Sequence, residues 1–272
     1  MAHLGQTIAD LRQERNLSQA ELAADILSPA QLSKAEHGLT DLSGTKLVML
    51  LGLLHITPRE FFSLAEIRTA SETIEEQLIS DTYTSLVKND QQLGRQVIRQ
   101  AEIFDQQAQT KFSHLSLIMA RAQIGQLFEQ KLSTADVHYM TDYLFSVEHW
   151  SRYELVLFMS TTSALSLAVV DQLAREVSHR SKRYQALNLD LVTNLLFNTE
   201  MTFIEARLPT KAKFFAAALK ALTPGDDHMG AHFLITFGRI SYQYCFEDRY
   251  QATLQIKKLL QALKILHMND YY

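Results

Sequence analysis

Leu17-Ser18-Gln19-Ala20-Glu21-Leu22-Ala23 and, four residues on, Ser28-Pro29-Ala30-Gln31-Leu32-Ser33-Lys34-Ala35-Glu36-His37-Gly38 are the two segments whose spacing decides the fold. Ser18 and Glu21 stand at the spacing of a capping box, in which the hydroxyl accepts from a free N–H of the first turn and the carboxylate reaches back to the cap residue. Ser28 and Gln31 repeat the device, with Pro29 at the first helical position, where φ is preset and no N–H is missed. Thr57-Pro58-Arg59-Glu60 is a third instance. Three helix starts so close together impose short helices, read here as residues 4–14, 18–26, 28–37, 44–54 and 57–64. Only a residue or two around Leu27 separates the second from the third, which is helix-turn-helix spacing. Ala20 is small where the second helix would pack on the third, Leu22, Ile26 and Leu32 would lock the crossing, and Gly38 offers the left-handed residue that ends the third helix.

Outward from this module the pattern changes. The chain has 9 Gly and 4 Pro in 272 residues, under half of the roughly 12% usual for globular chains, and so points to an all-α fold. Beyond residue 66 the helices lengthen and no strand alternation occurs. Ile74, Leu78 and Leu86 fall on one face, as do Leu93, Val97, Ala101 and Phe104. Breaks recur so that paired helices of roughly 35 to 42 residues begin near Ser71, Thr110, Trp150, Tyr184 and Asp227, the period of a tetratricopeptide-like (TPR-like) helical-hairpin solenoid. The strict repeat signature is missing, and a large irregular bundle is the alternative. The reading is therefore an N-terminal domain over residues 1–66 and a helical repeat domain over residues 67–272.

Several functions are excluded. The longest apolar run, residues 47–56, is interrupted by Gly52 and His55 and is too short to span a bilayer. Met1-Ala2-His3-Leu4-Gly5-Gln6 lacks the basic start and apolar stretch of a signal peptide, so a cytoplasmic location is expected. The single Cys245 permits neither an internal disulfide nor a cysteine zinc site. No P-loop, His-Glu-x-x-His, glycine-rich dinucleotide turn or cysteine-nucleophile arrangement is present, so neither catalysis nor a cofactor is expected. Of ten histidines only His228 and His232 share a helical spacing, beside Asp227, and no metal site is assigned. Net charge is −4; residues 1–66 hold five Lys or Arg against eight Asp or Glu.

With Gly5, Ile8, Leu11 and Arg12 placed before it, the opening stretch resembles the Xre type of helix-turn-helix, the lambda-repressor-like class. That resemblance implies a five-helix DNA-binding domain with Arg12 and Glu36 paired inside it. It also implies a third helix lying in the major groove and a second helix whose start touches phosphate. Gln19 would then contact the backbone, and Pro29, Ala30, Gln31, Ser33 and Lys34 would form the exposed recognition face. Gln31 and Lys34 are the expected base readers, because Gln bonds adenine at two atoms and Lys reaches guanine O6 and N7. Lys46 is a phosphate candidate. Taken singly, each of these residues also reads as ordinary capping or a solvated charge.

Such a module joined to some 200 residues of paired helices resembles the Rgg family of regulators. The likeness is carried in detail by Ile56-Thr57-Pro58-Arg59-Glu60-Phe61-Phe62 and Trp150-Ser151-Arg152-Tyr153-Glu154-Leu155-Val156-Leu157-Phe158. It implies transcriptional control by a short signalling peptide held in the concave groove of the repeat domain. Arg152 would hold a peptide carboxylate, Tyr153 would line an apolar wall, and Asn194 and Asn198, four apart on one helix face, would bond the peptide backbone. The plainer alternatives are core roles for Trp150 and Tyr153 and helix-to-helix bonds for the asparagines. A homodimer on a double-stranded operator of paired half-sites follows from the class. Helices over residues 252–267, with Leu254, Ile256, Leu260, Leu263 and Ile265, are candidates for its interface, and residues 65–71 for a hinge. Members with a cysteine in the DNA-binding domain join subunits there by a disulfide; this domain has none. The competing functions are a regulator answering a small molecule, pH or a protein partner, and a helical scaffold that has lost DNA contact.

Overall fold

The structure, a computed structural model, describes residues 2–65 and 70–265. Among the described residues there are fifteen α-helices and no strand. The chain divides into two compact units, Met1–Glu76 and Gln77–Tyr272.

The first unit carries α1 (Ala2–Glu14), α2 (Gln19–Ala23), α3 (Pro29–Glu36), α4 (Gly44–Leu53) and α5 (Pro58–Leu64). The three capping boxes form as the spacing demands: Ser18 accepts from Glu21 N–H and Glu21 accepts from Ser18 N–H, and Ser28 with Gln31 and Thr57 with Glu60 do the same. These bonds from the cap residues hold the Glu21 and Glu60 carboxyls below their ordinary range. Ser43 caps α4 in addition. Helix α2 ends three residues earlier than expected, because Ala24 turns to φ 40°. Ile8, Leu11, Leu22, Leu32, Leu50 and Phe61 close the core.

Ala20 corrects the sequence reading, since it is exposed. Close packing falls instead to Ala23, which is fully buried, and to Gly5, where a Cβ would stand 1.9 Å from the carbonyl oxygen of Ala35. Helix α1 can cross α3 at that distance only with glycine there. Gly38 ends α3 at φ 69°.

Helix α6 (Ala70–Val87) runs through the division between the units. It is followed by α7 (Gln91–Ala108), α8 (Lys111–Ile124), α9 (Thr134–Ser146), α10 (Arg152–Thr161), α11 (Leu167–Arg180), α12 (Leu189–Glu205), α13 (Pro209–Lys220), α14 (Met229–Phe246) and α15 (Arg249–Ile265). These ten helices are the five consecutive pairs that the spacing predicts. The first helices of successive pairs stack, α8 on α10, α10 on α12 and α12 on α14, while α12 also grips α11 and α13. This is TPR-like stacking.

Val97, Ala101 and Phe104 bury the expected face of α7. Ile74 departs from its expected face and is exposed. Trp150 is fully buried and donates its indole N–H to the Leu144 carbonyl at 3.1 Å. In α15, Ala252 and Leu263 are buried while Leu254 and Ile265 are exposed. Most of the expected hinge over 65–71, and His267, lie outside the described residues. No single helix among the described residues is long and apolar enough to cross a membrane.

Candidate functional site

In the first unit the sequence points to α3 and the start of α2. Leu32, Ala35 and Glu36 are the inward positions of α3. That leaves Pro29, Ala30, Gln31 and Lys34 exposed on the outer surface, with Ser33 half-buried beside them. The helix is fixed from beneath by Glu36. Arg12 Nε donates to its Oε1 at 2.7 Å and Arg12 Nη2 to its Oε2 at 3.0 Å, while Nη1 donates to the Leu17 carbonyl at 2.8 Å. The bond to Glu36 raises the guanidinium pKa further despite burial. A two-pronged pair of this kind fixes orientation as well as distance.

Two of the expected DNA-contact residues, Gln19 and Gln31, have second duties that the sequence did not reveal. Gln19 Nε2 donates to Glu36 Oε2 at 2.7 Å. Its side chain therefore braces the ion pair, which leaves its backbone N–H, at the start of α2, for the expected phosphate contact. Gln31 Oε1 accepts from Ser28 N–H at 3.1 Å, which anchors its amide and leaves the NH₂ group turned outward to donate. Lys46 is half-buried in the first turn of α4.

In the second unit the ends of α8 and α10 and the middle of α12 enclose a cavity of about 380 Å³. Gln123, Gln126, Ser160, Thr162, Ser163, Asn198 and Thr202 supply its polar wall, and Met159, Leu165, Leu167 and Leu195 are among its apolar contributors. Among the described residues none that lines it is charged. Gln126 Nε2 donates to Ser163 Oγ at 3.1 Å, tying two walls together.

Of the four expected ligand residues, only Asn198 reaches this cavity. Asn194 is exposed on the same helix and donates to the carbonyl of Asp190 at 2.8 Å. Arg152 and Tyr153 open α10, seven residues before Met159, or ~10 Å along the axis. Arg152 is exposed. Tyr153 packs edge-on against Phe112 at 5.2 Å and Tyr143 at 6.3 Å. Tyr143 donates to Glu154 at 2.6 Å. Burial first, and then that bond, raise the Tyr143 pKa; burial opposes ionisation of Glu154, yet the bonds from Tyr143 and Ser151 hold its carboxyl below the ordinary range.

Glu200 was not singled out. It lies between Asn198 and Thr202 in sequence but points into the protein, fully buried, and neither oxygen has a hydrogen-bond partner among the described residues. Burial pushes its pKa up to about 7. A signal existed: Leu196, Thr199, Glu200 and Phe203 share the buried face of α12, so a carboxyl falls on an apolar stripe. The His228–Asp227 neighbourhood does not gather a metal site. His228 Nδ1 meets Asp190 at 3.1 Å, and among the described residues no group of three potential ligands occurs.

Comparison with known proteins adds two family matches. Residues 99–272 match the C-terminal domain of the HTH-type transcriptional regulator Rgg, and residues 8–61 match a helix-turn-helix family. Among solved structures, the SHP pheromone receptor Rgg2 of Streptococcus dysgalactiae superposes with a TM-score of 0.80 at 23% identity, covering 99% of this chain and 96% of that one. A bacterial peptide pheromone–receptor complex gives 0.72 at 17% identity, over 100% and 95% of the two chains. The PrgX/cCF10 complex gives 0.73 at 14%, over 100% and 89%.

Proposed function

Because the chain belongs to the Rgg family of HTH-type transcriptional regulators, we propose that it binds a specific operator as a homodimer and is controlled by a short peptide held in its repeat domain. The observation that carries the reading is the uncharged cavity at Asn198, built by α8, α10 and α12. Its size suits two or three peptide side chains, and its amides and hydroxyls can serve a peptide backbone without demanding charge. Arg152 and Tyr153 stand ~10 Å away along α10, a distance that three extended residues cover. A peptide seated at Asn198 can therefore lie along Tyr153 with its terminal carboxylate at Arg152, and Asn194 extends the polar edge. The fold is shared with a pheromone receptor and with a peptide pheromone–receptor complex, which supports the choice of ligand.

On the DNA side, Gln31 and Lys34 read bases, Pro29, Ala30 and Ser33 complete the apposed face, and Gln19 and Lys46 meet phosphate. Exposed Leu254 and Ile265 on α15 suit a subunit interface. The ligand acts by binding one arrangement of the dimer more tightly than another. Operator DNA places this action in the cytoplasm, and no catalytic step enters it.

The test is recovery of genomic fragments retained by the full chain, with and without the peptide fraction of culture medium. Enriched paired half-sites, with a peptide-dependent change in retention that Asn198→Ala abolishes, are the expected result. Retention without sequence enrichment would remove the operator reading, and indifference to the peptide fraction would remove the peptide.

A further inference from the structure

A second cavity, of about 530 Å³, opens between α7, α8 and the segment leading into α9. It is separate from the one at Asn198, with the single turn Gly125–Phe128 lying between them: Gln126 lines the first and Phe128 the second. Its wall is set by Gly125, where a Cβ would stand 2.6 Å from the carbonyl oxygen of Gln130. The loop folds back that tightly only because the position is glycine, which makes the cavity a built feature of the backbone.

The charges are unevenly matched. Arg121 bonds Glu102 at 3.0 Å and Asp136 at 3.3 Å, so both carboxylates of the lining are already engaged by one cation. Arg95 and Lys131 also line the cavity, and neither has a carboxylate partner among the described residues. Arg95 lies 5.3 Å from the centre of the Phe128 ring, and Ile98 and Ile124 continue the apolar floor. Two spare cations at the rim of an apolar pocket of this volume match the general form of a small-molecule site.

We propose that this cavity binds a small organic anion, a carboxylate or phosphate on an apolar body about the size of one ring. Arg95 and Lys131 hold the anionic group, and Ile98, Ile124 and Phe128 hold the body. The inference is independent of the peptide reading, since the probes are added to the protein alone.

The experiment is calorimetric titration of the full chain with 4-phenylbutyrate, with phenyl phosphate and with 4-phenylbutylamine as a cationic control. Binding of at least one anion at one site per chain is expected, with the amine weaker by about tenfold or more. Preference between the two anions assigns the head group. Arg95→Gln with Lys131→Gln, both exposed positions, should weaken the anion by a similar factor while leaving the melting temperature unchanged. Failure of both anions to bind, equal binding of the amine, or full binding by the double variant would each overturn the proposal.

Discussion

Glu200 on α12 faces Gly238 on α14 so closely that a Cβ at 238 would stand 2.3 Å from Glu200 Oε2, and the carboxyl has no hydrogen-bond partner among the described residues. An ionised carboxylate stripped of water without compensation is costly, so the group retains its proton up to about pH 7. Its folded pKa thus exceeds its ordinary value of 4.5. Folding takes up a proton between those two values, so this group's contribution is complete at lower pH, declines through the window and levels off above it. Glu200→Gln keeps the shape and removes the titration. Urea unfolding from about pH 5 to about pH 8 should show the wild type losing on the order of 3 kcal/mol relative to the variant. Parallel curves would show that the carboxyl finds a partner in solution.

The pair Arg12–Glu36 predicts an asymmetry between single and double replacements. Glu36→Ala strands a buried guanidinium and the amide of Gln19, and should cost roughly 3–5 kcal/mol. Arg12→Met with Glu36→Leu removes both charges and should restore most of that stability. Chemical denaturation of the three proteins decides it; a double variant as weak as the single one would mean that the pair supplies net stability.

Lys34→Ala should weaken operator binding and relax the preference at one base pair, costing roughly 1–3 kcal/mol in competition assays, with the fold intact by circular dichroism. Unchanged preference would remove Lys34 from the reading set. The salt response tests the charge balance. Five cations lie in residues 1–66, and Arg12 is spent on Glu36. Four per module remain, so a dimer should show a log–log salt slope no steeper than about −7.

Gln109 ends α7 in the left-handed conformation, at φ 49° and ψ 38°. A side chain there strains against its own backbone, whereas glycine does not. Gln109→Gly should raise stability by roughly 0.5–1 kcal/mol, visible as a higher melting temperature, the relief outweighing the added freedom of the unfolded chain. A lower melting temperature would show that the Gln side chain contributes a contact worth more than the strain.

The legible part of the fold was local. Ser18, Ser28 and Thr57 announce helix starts because a cap needs only its own next three residues, and the five pair starts follow from breaks in apolar period. What depended on packing across the chain was not legible. Ala20 and Ala23 are the same residue type one turn apart, and only the crossing of α2 and α3 decides which is buried. The cavity at Asn198 joins segments near 123, 160 and 198, and no spacing rule links them. Gln19 and Gln31 read as outward-facing polar residues until their partners are placed. The scarcity of glycine, read as helix content, has a second cause: Asn89, Gln109, Glu129 and Arg207 hold positive φ at helix ends where glycine would be usual.

Nearest-neighbour stacking gives the repeat domain an order of disassembly. At the C-terminal end α15 packs chiefly on α14, which rests on α12 and α13. Opening from that end therefore starts at α15, and amide exchange should be faster in α15 than in α12. The joint behind it, next to part, is the one where Glu200 meets Gly238. The Glu200 proton is the clasp of that seam, and raising the pH through about 7 should loosen it.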